Sequence, residues 1–335
     1  MKKWLRRIGI GLGVLVLLVA VSGACYEWIG RRAARRNFPP PGTLVDIGGR
    51  RIQIDCRGTG TPIVVLISGL DIGGSTSWSA VHDSLALTTR TCAYSRAGIM
   101  WSDAAPGATT AKGVADDLHA ALDKAGETGP FVLVGHSLGG PYLMTYTKYY
   151  GDQVAGAVMV DASHPDQIDR LGRIVPAAAN PALTSMKVAA AFSWAGVVRL
   201  ATASTPAMPH QDDATVREVA AYSPHSLHGA LGEMVALGAT LSEAGTFRQL
   251  GDRPLVVLTA MKPMTSAELA TLEISAETGS EFKAAWKAMQ DDEATWSTRS
   301  EHHLVDDASH YIQYFRPDVV IQAVRRVVDR VRTGT

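Results

Sequence analysis

Apolar residues in this chain fall into short unbroken runs separated by helical spacings. Residues 62–67 read Pro-Ile-Val-Val-Leu-Ile, and 131–134, 157–160 and 254–258 repeat the pattern. A run with no polar alternation is what a strand buried on both faces requires. Residues 91–94 read as a further strand, and 303–305 as the last one. Before them, residues 43–47 and 50–56 read as two strands joined at Gly48-Gly49, a hairpin signal. Between the strands the period changes. In 111–125, Val114, Leu118, Ala121 and Leu122 fall at i, i+4, i+7 and i+8, one face of a helix. Residues 77–87 also read as a helix, and 317–331 close the chain as an amphipathic one. Strands alternating with helices after an opening hairpin predict an α/β fold with a mostly parallel sheet. In such sheets ligands bind beyond the carboxyl ends of the strands.

The first 36 residues follow a different pattern. Lys2, Lys3, Arg6 and Arg7 precede a run, residues 8–26, broken only by Ser22 and glycines. At 1.5 Å per residue it reaches about 28 Å, close to the hydrocarbon thickness of a bilayer. This predicts a membrane anchor with the rest of the chain exported. The alternative is a cleaved signal peptide, because Ser22-Gly23-Ala24 supplies small residues for cleavage, and the chain would then be secreted. The run is longer than an ordinary signal segment, which favours the anchor. Residues 37–42, Asn-Phe-Pro-Pro-Pro-Gly, read as a stiff linker.

Composition narrows the function. Lys plus Arg balance Asp plus Glu at 32 each, so no charge excess points to nucleic acid as a partner. Of the three cysteines, Cys25, Cys56 and Cys92, none forms a C-x-x-C pair, which argues against a structural zinc site. His225 and His228 lack a matching third ligand, so no metal is expected there either.

The candidate chemistry sits where the run at 131–134 ends. Gly135-His136-Ser137-Leu138-Gly139 has the G-x-S-x-G form, with an apolar strand before it and a helical pattern after it. That context is a nucleophile elbow: a tight turn strains Ser137 and lifts its hydroxyl clear of the sheet, with the Leu138 N–H facing the same space.

With Ser68-Gly69-Leu70, Tyr94-Ser95-Arg96-Ala97-Gly98, Val160-Asp161-Ala162-Ser163-His164-Pro165 and Ser309-His310-Tyr311-Ile312, the sequence resembles the α/β-hydrolase superfamily, and within it membrane-anchored bacterial esterases and lipases. The resemblance implies an α/β-hydrolase fold with helices on both faces of the sheet. The core is expected in residues 43–164 and 252–335, and a helical cap in 165–251. It implies His310 as the base for Ser137. The acid is less direct: no carboxylate follows the 254–258 strand until Glu268, whereas Asp161 ends the preceding strand, as in pancreatic-type lipases. Asp161 is the expected acid and Glu268 the alternative. Leu138 and Leu70 are the expected oxyanion-hole donors.

Two positions depart from the family pattern. Ser68 stands where the family often has His, and Ser95 where it usually has Asp. Asp71, beside the expected oxyanion loop, should turn its side chain away. Arg96 is expected to bond neighbouring loops. Cys56 and Cys92 fall on strands that the family's sheet order makes antiparallel neighbours, so a disulfide is expected. The implied reaction needs no cofactor and takes a small-molecule acyl substrate. A carboxylic ester is the first expectation. A peptidase or a cofactor-free peroxidase on the same triad is the alternative, and a non-catalytic anchored scaffold the third.

Overall fold

The unbroken apolar runs form the middle of one eight-stranded sheet. The computed structural model describes residues 2–175 and 181–334; residues 176–180 of the expected cap, Met1 and Thr335 lie outside it. The strands are β1 (Thr43–Asp46), β2 (Arg51–Arg57), β3 (Ile63–Ile67), β4 (Thr91–Ser95), β5 (Phe131–His136), β6 (Val154–Val160), β7 (Leu255–Ala260) and β8 (Ser300–Val305). Their order is β1-β2-β4-β3-β5-β6-β7-β8. β2 is antiparallel to β1 and to β4, and all other pairings are parallel.

Side chains alternate between the two faces. Val65, Ile67, Leu133, Met159 and Val257 pack on one side, and Val64, Leu66, Val134, Val160 and Leu258 on the other. A strand buried this way has no position for a polar residue without a partner, and each fully buried Val or Leu contributes about 1.5–3 kcal/mol.

The helices, in chain order, are α1 (Lys2–Asn37), α2 (His82–Ala86), α3 (Ala111–Lys124), α4 (Gly139–Tyr150), α5 (Gln167–Gly172), α6 (Pro181–Ala191), α7 (Val197–Thr202), α8 (Asp213–Gly245), α9 (Ser266–Leu272), α10 (Ala276–Glu293), α11 (Ile312–Phe315) and α12 (Pro317–Thr333). α3, α4 and the C-terminal part of α8 supply one outer layer through Leu118, Leu143 and Leu241. α2 and α12 supply the other through Leu85, Val320 and Val324. Helices α5 to α8 lie between β6 and β7, and α9 and α10 between β7 and β8.

The 77–87 stretch differs from its sequence reading. It is a 3₁₀ turn, Gly74–Trp78, followed by the short α2. Its hydroxyls account for the break: Thr76 Oγ1 donates to Gly73 O, and Ser77 Oγ donates to Asp71 Oδ2. Such local bonds compete with helix propagation. Cys56 and Cys92 face each other across β2 and β4 and form a disulfide.

Candidate active site

Ser137 follows β5 directly, with φ of 50°. A left-handed serine is unusual and marks a strained turn. Its carbonyl accepts from Gly140 N (2.9 Å) and Ser163 N (2.9 Å), which fixes the turn. The glycines are there because nothing larger fits: a Cβ on Gly135 would stand 2.6 Å from Gly139 O, and one on Gly139 2.2 Å from Ile67 O.

Asp161 follows β6 one strand over, also left-handed at φ 43°. Its carboxylate is buried and fully engaged. Oδ2 lies 2.7 Å from His310 Nδ1, while Oδ1 accepts from Ala260 N (2.8 Å) and Trp286 Nε1 (2.9 Å). His310 follows β8, and its side chain remains 41% exposed. With Nδ1 turned to the carboxylate, Nε2 is the nitrogen left to accept a proton. Glu268 lines the same cavity as Asp161 and His310, but its Oε2 is committed to the start of α9, accepting from Thr265 N and Thr265 Oγ1 in a capping box.

His136, just before the serine, braces His310 from behind. Its Nε2 is 3.0 Å from the His310 carbonyl oxygen, and the two rings are 4.7 Å apart. The carbonyl can only accept, so His136 Nε2 carries the proton there. Burial first, and then the neighbouring His310, hold His136 well below the usual histidine range, so it stays neutral.

The loop after β3 presses on the same turn. A Cβ on Gly69 would lie 2.9 Å from Ser137 Cβ. Buried Arg96 holds this loop: Nη1 donates to Ser68 O (2.7 Å) and Nη2 to Gly69 O (2.6 Å). In a trans peptide the carbonyl and the next N–H point opposite ways. Arg96 therefore turns the Leu70 N–H away from itself. Glu233 of α8 clamps the guanidinium in two bonds of 2.6 and 2.8 Å. Asp71 is occupied, accepting from Gly73 N, Gly74 N and Ser77 Oγ.

A cavity of about 330 Å³ opens on His310 and Asp161, walled by Met264, Phe282, Trp286 and Phe315 with Lys262 and Lys283 at its rim. A second, about 180 Å³, lies between Asp71, Tyr311 and the α7–α8 connection. A third, about 480 Å³, runs along β8 and α12 and is lined by none of Ser137, Asp161 and His310.

A protein-family model described as alpha/beta hydrolase family matches residues 64–323, from β3 into α12. The chain belongs to the alpha/beta hydrolase family. It is 37% identical over 130 residues to the probable transporter efuK of Hormonema carpetanum, a match covering 36% of this chain and 18% of that protein. It is 25% identical over 166 residues to the uncharacterized protein YbdG of Bacillus subtilis (strain 168), covering 49% of this chain and 51% of the relative. The chain thus spans about half or less of the length of these curated relatives. Among solved structures it resembles a malate-bound thermophilic esterase from Thermogutta terrifontis, with a TM-score of 0.55 and 22% identity, over 86% of this chain and 97% of that one. That likeness speaks to the fold.

Sequence reasoning named Ser137, Asp161 and His310 but missed three groups that touch them or their loops. His136 stood inside the motif with no role assigned. Trp286 and Glu233 sit 125 and 137 residues from their partners Asp161 and Arg96, with no local signal to join them.

Proposed function

We propose that the protein is a serine hydrolase of carboxylic esters, held to a membrane by α1 with its catalytic domain exported. Ser137 Oγ attacks the ester carbonyl while His310 Nε2 takes its proton. Asp161 holds the tautomer and stabilises the imidazolium. The N–H groups of Leu138 and Leu70 receive the oxyanion. Collapse returns the proton to the departing alcohol and leaves an acyl group on Ser137. Water, deprotonated by His310, then releases the acid and restores the serine. No cofactor enters the scheme.

The observation that carries this reading is the 2.7 Å contact between His310 Nδ1 and Asp161 Oδ2, with the carboxylate's other oxygen already committed to two donors. It leaves the imidazole one basic nitrogen and one orientation. In this scheme residues 43–164 and 252–335 form the catalytic core, and 165–251 a cap that shapes the acyl pocket. The part of α1 from Gly23 onward docks on the folded domain, with Gly23 against Ala195 and buried Glu27 paired with Arg199 of α7 at 3.0 and 3.1 Å, which would hold the catalytic domain close to the span in the anchored form. A panel of short-chain nitrophenyl esters and matching anilides tests the bond class. Ester turnover that disappears in Ser137→Ala is expected; anilide turnover exceeding ester turnover would reassign the protein to peptide bonds.

A further inference from the structure

We infer that the rim of the α6–α7 segment is a lipid-contacting surface, seated on the bilayer that holds α1. The inference rests on the anchor reading above and extends it to the cap. α1 has two unlike halves. Up to Val21 it is apolar and exposed, with Leu17 at 62% and Val19 at 65%. From Gly23 onward it is docked. A Cβ on Gly23 would lie 2.6 Å from Ala195 O, and one on Gly196 2.5 Å from the Tyr26 ring. Glu27 then pairs with Arg199. The helix therefore leaves the folded domain at the turn Ser193–Ala195.

That turn is flanked by a cluster of exposed apolar side chains. Phe192 is 55% exposed, Trp194 47% and Leu200 61%, with Val188 and Val197 beside them. Val188, Phe192 and Val197 share a shallow groove of about 440 Å³. Exposed apolar side chains in such a cluster mark an interaction surface. The depth along α1 identifies the partner. Gly23 is three residues before Tyr26, the end of the apolar run, so at 1.5 Å per residue the turn sits about 4–5 Å inside that end. Phe192 and Trp194 lie at the level where aromatic side chains concentrate at a bilayer surface. The arginines Arg31, Arg32, Arg35 and Arg36 follow about 12–20 Å farther along α1, in water. An apolar patch fixed by an ion pair at that depth meets acyl chains and headgroups before it meets another protein.

The test uses the full chain in phosphatidylcholine vesicles containing lipids spin-labelled both near the headgroup and deep in the acyl chain. An environment-sensitive fluorophore is placed at Phe192→Cys, Val16→Cys or Leu87→Cys, each in a Cys25→Ser background. Val16 reports the α1 span. Leu87, 88% exposed at the end of α2, is the control on another face. Quenching at position 192 comparable to that at 16, with none at 87, is the expected result. Quenching at 16 without quenching at 192 would overturn the cap contact and leave the anchor standing. Quenching at neither position would overturn the anchor too. Equal quenching at 87 and 192 would also refute it. So would a blue-shifted but unquenched probe at 192, because a second protein would then cover the patch.

Discussion

Replacing Asp161 by Asn is the sharpest perturbation of the proposed chemistry, because the site dictates which way the amide must face. Oδ1 receives two buried donors, Ala260 N and Trp286 Nε1, and Oδ2 faces His310 Nδ1. If the amide oxygen stays with the two donors, the NH₂ points at Nδ1. His310 must then place its proton on Nε2, and the base for Ser137 is lost. The flipped amide keeps the tautomer but sets its NH₂ against two buried N–H groups. Two unsatisfied donors at about 1–3 kcal/mol each put that state about 2–6 kcal/mol higher. The wrong tautomer therefore prevails. A wrong-tautomer triad loses about 10⁴ in kcat, or about 5.5 kcal/mol of barrier. The assay is steady-state hydrolysis of a short-chain nitrophenyl ester, with circular dichroism to confirm the fold. Asp161→Asn should lower kcat by that order with little change in KM. Glu268→Gln, whose side chain lines the same cavity but bonds Thr265 rather than His310, should stay within about threefold, a change under 1 kcal/mol. A folded Asp161→Asn enzyme within tenfold of the parent, or a larger loss in Glu268→Gln, would refute the assignment.

Three further expectations concern the surrounding groups. Trp286→Phe removes one bond to the Asp161 carboxylate; at about 1.5–3 kcal/mol for a hydrogen bond to a charged group, kcat should fall about 10- to 100-fold, read in the same ester assay. Arg96→Lys loses the fork that holds both Ser68 O and Gly69 O. Losing one oxyanion donor should lower kcat about 10²–10³-fold at near-constant KM, and Glu233→Gln should lower stability by about 3–5 kcal/mol by leaving Arg96 buried without its partner. The pH profile of stability is set chiefly by histidines: burial pushes His82, His136, His164, His225 and His302 all below their ordinary value of 6.5. Each is neutral when folded and takes a proton when unfolded, so stability is complete above about pH 6.5 and falls below it. The slope is up to about 1.4 kcal/mol per pH unit for each group. Glu293, raised well above 4.5 by burial and then by Asp161, acts in the opposite sense, as do Glu218, pushed up to about 7 by burial and then by Asp212, and Asp71 and Glu233, raised by burial; these favour the fold at low pH and offset part of the histidine loss. Urea midpoints from pH 7 to 5 should therefore fall, and a flat profile would contradict the burial argument.

The sheet was legible because strands such as Ile63–Ile67 are buried on both faces and apolar throughout, and Leu255–Ala260 is apolar except for Thr259, whose hydroxyl pairs with His302 Nε2. The elbow was legible for a steric reason, since Gly135 and Gly139 leave no room for a side chain. α10 was not. Its sequence is polar on balance, and its buried residues are Gly279 and then Trp286, Met289, Gln290 and Glu293, the last four at i, i+3, i+4 and i+7. Nothing in that spacing says that Trp286 would meet a carboxylate after β6. The Arg96–Glu233 pair was equally hidden, because it joins two segments that are neighbours only once α8 is folded across the sheet. The break before α2 was misread because local hydroxyl bonds there, from Thr76 to the Gly73 carbonyl and from Ser77 to the Asp71 carboxylate, outcompete a regular apolar spacing.

The central claim is that one serine carries the reaction. Treating the folded, full-length protein with a fluorophosphonate and mapping the modified residue tests it most directly. The account predicts a single adduct on Ser137, absent in Ser137→Ala and slowed by orders of magnitude in His310→Ala. An adduct on any other residue, or none on protein shown to be folded, would contradict it.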